Sequence, residues 1–322
     1  MPDDGALGAG AGTARRPVRF LRVLGFAWML VPLGFFLLDR GALLAGHPAH
    51  VITLAVLGLV GVVFLVRDRS EGYVRPPRQR AVPRPVFRVL LVILSVALVA
   101  VLVWLRPFAA TPQAVAAMSG GAAVRVTDAP AHILIEPATG TPTRGLVFQP
   151  GARVDPRAYV PMLSEVSRAG VLVVVVKQPF GIGFLAGSAP HAFLDNHPEV
   201  TAWAVGGHSL GGVAAATFAA DNPGAVKGLV LWASYPLSSL AGRTDLAVAS
   251  ISGSRDGLTT PADVAASRAL LPGDTAYTVL QGASHATFGD YGDQPGDGTP
   301  TGDRSAAQRQ VVAATVALVE GM

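Results

Sequence analysis

At 322 residues the chain has room for one large domain or two smaller ones. Only 14% of its residues are charged and its mean hydropathy is +0.46, so part of the chain is expected to lie in a membrane. The absence of cysteine excludes disulfides, thiolate metal sites and a cysteine nucleophile. The formal net charge of +4 divides unevenly: residues 1–106 carry 13 Arg against 5 acids, and residues 107–322 carry 12 basic against 16 acidic residues. The basic character therefore belongs to the N-terminal third. The mildly acidic remainder has no basic stripe interleaved with aromatics, which argues against a nucleic-acid partner.

Residues 1–14 are small, polar and glycine-rich and are expected to be disordered. Arg15, Arg16, Arg19 and Arg22 then lead into the uncharged run Val23 to Leu38, short for a span unless Arg22 snorkels and Phe20 and Leu21 count. A signal-peptide core is the rival reading, but no small-x-small cleavage site follows cleanly and more apolar segments come next. Asp39 and Arg40 break the run, and Gly41 to Val66 has no formal charge. His47 and His50 stand near its start; without a carboxylate or third ligand beside them, they read as interfacial histidines next to Pro48 rather than a metal site.

Arg67 to Arg88 contains seven Arg, two acids and four Pro and reads as an extended polar loop; Val89 to Leu105 is a third apolar run, with Trp104 suited to a membrane interface. The spans are set at about 20–38, 46–66 and 87–105, within a membrane region of residues 1–106. The positive-inside rule places the basic loop in the cytoplasm, so the chain beyond Arg106 is expected on the extracytoplasmic side of a multi-pass cell-membrane protein.

Residues 107–123, rich in Ala, Gly and Thr-Pro, read as a short linker, and residues 124–322 as one α/β domain. Strands are predicted at 131–136, 145–149, 171–176, 201–205, 228–232, 247–252 and 276–280, and helices at 156–169, 262–271 and 306–319. The run Val171 to Val176 has the continuous apolar character of a strand buried on both faces. This alternation predicts a mostly parallel sheet covered by helices.

The chemistry centres on Gly207-His208-Ser209-Leu210-Gly211, a G-x-S-x-G pattern between an apolar strand and a helix of small residues. In such a nucleophile elbow the serine occupies a strained strand-to-helix corner. Gly207 and Gly211 are required because Cβ atoms at those positions would collide. A serine hydroxyl needs a base within reach and a third group to hold that base. Two later strands end in Gly253-Ser254-Arg255-Asp256-Gly257 and Gln281-Gly282-Ala283-Ser284-His285-Ala286, and loops leaving parallel strands share one sheet edge. Ser209, Asp256 and His285 therefore can meet there, in the order that accompanies the elbow. His285 would be the base and Asp256 its orienting partner; the plainer alternatives are a turn aspartate and a loop histidine. Asp245, which precedes its strand, and Asp290 and Asp293, which follow His285 out of order, are rival acids, and His132, His191 and His197 lack this context. The oxyanion is expected to meet the backbone N–H groups of Leu210 and, in the Pro150-Gly151-Ala152 turn, Ala152. His208 reads as pocket wall or packing. Trp232, Tyr235, Phe180, Phe184 and Phe288 divide between pocket lining and aromatic core.

Residues from about 124 to 322 resemble the α/β-hydrolase superfamily. Gln149-Pro150-Gly151, Gly206 to Gly212, Gly253 to Asp256 and Ser284-His285-Ala286-Thr287-Phe288-Gly289 resemble its dienelactone-hydrolase-like, carboxylesterase-type branch. The resemblance implies hydrolysis of carboxylic esters or related acyl compounds, from a small-molecule or lipid substrate, through an acyl-enzyme and with neither metal nor organic cofactor. The chain departs from dienelactone hydrolases in carrying Ser209 where they carry cysteine, so their substrate does not transfer. Too few residues follow Trp232 before the next strand for a lid domain. The expectation is a membrane-anchored serine hydrolase. A cell-envelope acyltransferase using the same residues and a catalytically silent binding module are the rivals.

Overall fold

The computed structural model describes residues 20–70 and 83–322. The expected disordered N-terminus, with Arg15, Arg16 and Arg19, and residues 71–82 of the basic loop lie outside the described residues. Three helices open the described chain: α1 (Phe20–Ala45), α2 (Ala49–Ser70) and α3 (Arg84–Trp104). Each contains a stretch of at least 18 residues with mean hydropathy of 2.0, 2.6 and 3.0 respectively, long and apolar enough to cross a membrane. Asp39, at the end of the first apolar run, leaves helical geometry (φ −114°, ψ 17°) and puts a break in α1. Helices α1 and α2 cross where Gly25 meets Gly61: a Cβ at Gly61 would stand 2.7 Å from the Gly25 carbonyl oxygen, so small residues permit this approach. Polar groups lock the bundle. Trp28 Nε1 donates to Ser95 Oγ on α3 at 2.7 Å, and Arg22 Nε donates to Asp68 at 3.0 Å.

The 107–123 stretch, expected to be a linker, is packed on the domain. It holds the short helix α4 (Pro112–Ala117), capped by the Thr111 side chain, and Phe108 and Ala110 form bridges with Val154 and Tyr291. Its Ala- and Gly-rich composition carried no sign of these distant partners.

Eight strands follow: β1 (Val124–Asp128), β2 (His132–Pro137), β3 (Arg144–Gln149), β4 (Val171–Val176), β5 (Ala202–His208), β6 (Gly228–Trp232), β7 (Ala247–Gly253) and β8 (Ala276–Leu280). They make one sheet in the order β1-β2-β4-β3-β5-β6-β7-β8. The first two strands run antiparallel to their neighbours, and every pairing from β4 through β8 is parallel. Strand β1 is an addition to the predicted set; its alternation of Val124 and Val126 with Arg125 and Thr127 is the period-two signal of an edge strand.

The helices α5 (Val160–Arg168), α6 (Ala189–Asn196), α7 (Leu210–Asp221), α8 (Pro261–Ser267) and α9 (Arg304–Glu320) complete the domain. Leu146 and Phe148 of β3 face a core shared with Leu163 and Val166 of α5 and Val311 and Val319 of α9; Val147 faces the other core, with Ala215, Phe218 and Ala219 of α7. Two covered faces explain why β4 is apolar at every position and fully buried. Because the strands are parallel, the segments leaving β3 to β8 gather along one edge, and this edge carries the candidate site.

Candidate active site

Ser209 stands at the corner between β5 and α7 with φ 52° and ψ −126°, a conformation that a non-glycine residue adopts only when its surroundings impose it. The backbone hydrogen bonds around it do so. Its N–H donates to the Trp232 carbonyl at 3.0 Å, and its own carbonyl accepts from Ser234 Oγ at 2.7 Å and Gly212 N–H at 3.0 Å. A Cβ at Gly207 would lie 2.5 Å from both the Gln149 carbonyl oxygen and the Gly211 carbonyl carbon, and one at Gly211 would overlap the carbonyl oxygens of Gln149 and Pro150. Glycine at these two places lets the elbow nest against the turn after β3.

Asp256 leaves β7 and is buried. Its Oδ1 accepts backbone N–H bonds from Leu258 at 2.8 Å and Thr259 at 2.7 Å, which leaves Oδ2 directed at His285 Nδ1, 2.8 Å away. His285 follows β8 and is fully buried, yet its Nε2 has no hydrogen-bond partner among the described residues. An unpartnered buried ring nitrogen is costly unless something outside the fold uses it. The acid–imidazole pair is thus formed, while the imidazole's other nitrogen is left available for a transferable proton.

The turn after β3 commits all but one of its N–H groups. Gly151 N–H donates to Tyr159 Oη at 2.9 Å, Arg153 N–H to the Gly181 carbonyl at 2.8 Å, and Val154 N–H to the Gly151 carbonyl at 3.1 Å. Ala152, half-buried between them, has no acceptor for its N–H among the described residues. Leu210 is the first residue of α7, where backbone N–H groups have no acceptor within the helix and the helix dipole favours negative charge. Ala152 and Leu210, the two residues singled out from the sequence as backbone donors, thus both lie on the site edge, one after β3 and one at the start of α7.

Three residues that sequence reasoning passed over build the surroundings. Asp297 joins the two catalytic-side loops: Oδ1 accepts from the N–H groups of His285 at 2.9 Å and Gly257 at 3.2 Å, and Oδ2 from Ala286 N–H at 2.9 Å. Partial burial works to raise its pKa, but these backbone donors together outweigh burial and hold it below the ordinary aspartate value. Tyr159 bonds Gly151 N–H and, at 2.9 Å, His208 Nδ1; burial keeps its phenol protonated far above the usual range. Tyr291 packs its ring 6.3 Å from that of His208, and burial likewise raises its pKa.

His208 is fully buried, with its ring 4.5 Å from that of His285 and stacked on Phe288 at 5.8 Å. Burial first, and the neighbouring His285 second, push its pKa well below that of free histidine. It is therefore neutral near pH 7 and adds no second positive charge beside His285. Of the other candidates, Asp245 pairs with Arg243 at 2.7 Å and Asp290 accepts from Gln308 at 3.0 Å, while Asp293 is exposed. His132, His191 and His197 pack on Phe193, Phe218 and Trp203, away from the site. His47 uses Nδ1 to accept from Ala49 N–H at the start of α2, and His50 meets Phe180 edge-on. Trp232 and Phe288 belong to the core, whereas Phe180 and Tyr235 are half-buried and Phe184 is exposed.

The family model described as "Alpha/beta hydrolase family" matches residues 145–310, from the second residue of β3 into α9. The chain belongs to the alpha/beta hydrolase family. No curated protein matches it. The matched region of this alpha/beta hydrolase contains the elbow, the Asp256–His285 pair, the turn after β3 and Asp297, and excludes the three apolar helices. Only 14 residues, 233–246, separate β6 from β7, so the sheet edge carries no cap domain at that crossing.

Proposed function

We propose that this protein is a membrane-anchored serine hydrolase that cleaves carboxylic esters or related acyl compounds. The observation that carries the reading is the buried Asp256–His285 pair with a free Nε2, on the same sheet edge as a serine in a strained elbow. His285 Nε2 takes the Ser209 hydroxyl proton as Oγ attacks the acyl carbon. The carbonyl π pair moves onto oxygen, where Leu210 and Ala152 N–H stabilise the charge. Asp256 fixes the imidazole tautomer and stabilises the imidazolium. Collapse expels the alcohol, which leaves with the proton from His285, and the acyl group stays on Ser209. Water, deprotonated by His285, attacks this acyl-enzyme and releases the acid. The resemblance of the motifs to the dienelactone-hydrolase-like, carboxylesterase-type branch supports this reading, with Ser209 standing where dienelactone hydrolases carry cysteine.

The helices act as the anchor in this reading. Arg67, Arg69, Arg84 and Arg88 flank the second connection, while residues 107–124 have no formal charge, which supports a cytoplasmic basic loop and an extracytoplasmic hydrolase domain. A fluorophosphonate probe tests the chemistry: it should label the wild-type chain and leave Ser209→Ala unlabelled, and folded wild type that takes no label would point instead to a binding module. Protease added to intact cells should cut beyond residue 107; full protection there would reverse the orientation.

A further inference from the structure

The sheet edge that holds Ser209 also meets the ends of the apolar helices. The Arg153 guanidinium lies over the rings of Trp104 at 5.0 Å and Phe108 at 4.8 Å, and it bonds the Trp104 carbonyl. Arg157 donates to the Gly41 carbonyl at 2.9 Å, and the His50 ring meets that of Phe180 at 5.2 Å. At the same level Arg106 makes a two-pronged bond to Asp39 at 2.8 and 2.9 Å, closing the charged boundary of α1 and α3. Polar and aromatic groups gathered where apolar spans end mark the membrane–water interface. The domain therefore rests on its helices by the edge that carries the site.

Two segments of that edge are uncharged. No formal charge occurs from Gln178 to Leu194, the segment leaving β4, or from Gly228 to Gly242, which includes the segment leaving β6. On these segments Phe184 is 48% exposed, Leu185 57% and Leu237 66%. Phe184 stands four residues beyond Phe180, which touches α2. The opposite edge of the sheet presents Glu199, Asp221, Lys227, Asp245 and Asp274 to solvent. Large apolar side chains left exposed on two uncharged segments beside the apolar helices, with the exposed charges Arg255 and Asp293 on the segments leaving β7 and β8, fit a surface whose β4 and β6 side meets lipid.

We infer that the site edge lies on the bilayer surface, with Phe184 and Leu185 immersed in it, and that the substrate is an acyl ester of an amphiphile resident in that leaflet. This rests on the serine-hydrolase reading. The acyl chain stays in contact with lipid and the apolar rim while the ester carbonyl, at headgroup level, reaches the turn of Ala152. Ser209 takes up the acyl group and the headgroup alcohol departs with the proton held on His285.

Position and activity are tested separately in lipid nanodiscs with the full chain. Because the protein has no cysteine, Leu185→Cys and Asp274→Cys each give a single site for an NBD fluorophore. Nitroxide-bearing phospholipid should quench the fluorophore at 185 at least threefold more than at 274; equal quenching overturns the inference. In the second measurement, the rate on a long-chain ester within the disc is divided by the rate on a soluble short-chain ester. The Phe184→Ser/Leu185→Ser variant should lower this ratio tenfold or more, and an unchanged ratio overturns the substrate class. Fluorophosphonate labelling of the same samples separates the two readings. Labelled protein with an unchanged ratio overturns the membrane substrate alone, whereas wild type that takes no label overturns the hydrolase reading and the substrate class with it.

Discussion

The two halves of the candidate site are held by different means. On the acid–base side, Asp256 and His285 are fixed from within the domain, by Leu258 and Thr259 on one carboxylate and by Asp297 on the backbone of both loops. On the other side, the turn of Ala152 is tied outward. Phe108 N–H donates to the Arg153 carbonyl at 2.7 Å, and the Arg153 side chain reaches Trp104 at the end of α3. The first half is a property of the folded hydrolase domain; the second depends also on how that domain sits on its helices.

Breaking the internally held half should have the largest effect. His285→Ala and Asp256→Asn are each expected to lower kcat by about 10⁴-fold while leaving the fold intact, the scale on which triad members act together. Steady-state kinetics on a soluble ester, with circular dichroism as the folding control, checks this. The outward tie should matter less. A full oxyanion donor is worth about 10²–10³ in kcat, and Arg153→Ala leaves the N–H in place but frees the turn, so a fall of about tenfold in kcat with little change in KM is expected. Loss of KM alone would show that Arg153 contacts substrate instead.

Asp297 is expected to give the smallest effect on rate and the clearest dependence on pH. Its carboxyl is held below the ordinary aspartate pKa, so its stabilising effect is complete above the unfolded-state value of about 3.9 and is lost as pH falls through the lower folded-state value. Asp297→Asn should therefore lower Tm most near neutral pH, by several degrees, and the two proteins should converge in acid. Asp293→Asn, four residues away and exposed, should match wild type throughout. Equal Tm curves for Asp297→Asn and wild type would mean that the clamp does not hold the two loops.

The same division governs what could be read from the sequence. Ser209, Asp256 and His285 announce themselves because each follows an apolar strand in a local pattern of glycines, and parallel strands bring such positions to one edge. The three apolar helices are legible for a similar reason, since length and hydropathy are properties of contiguous residues. The features that could not be read act at a distance. Gly292-Asp293-Gln294-Pro295-Gly296-Asp297-Gly298 offers two aspartates in similar surroundings, and only folding shows that the second meets the backbone of Gly257, His285 and Ala286. Residues 107–123 are composed like a linker, yet Phe108 and Thr111 find partners in Arg153, Asp155 and Asp290. His208 reads locally as packing, and only the fold reveals that it packs against His285.

Trapping the covalent intermediate would test the serine-hydrolase reading at its root. The purified chain is mixed with an activated short-chain ester, quenched in acid within the first turnover and digested, and the peptide containing Ser209 is weighed by mass spectrometry. One acyl group is expected, located on Ser209 and absent when His285→Ala is treated in the same way. Turnover of the ester with no acyl group on Ser209, or with the group on another residue, would contradict the reading.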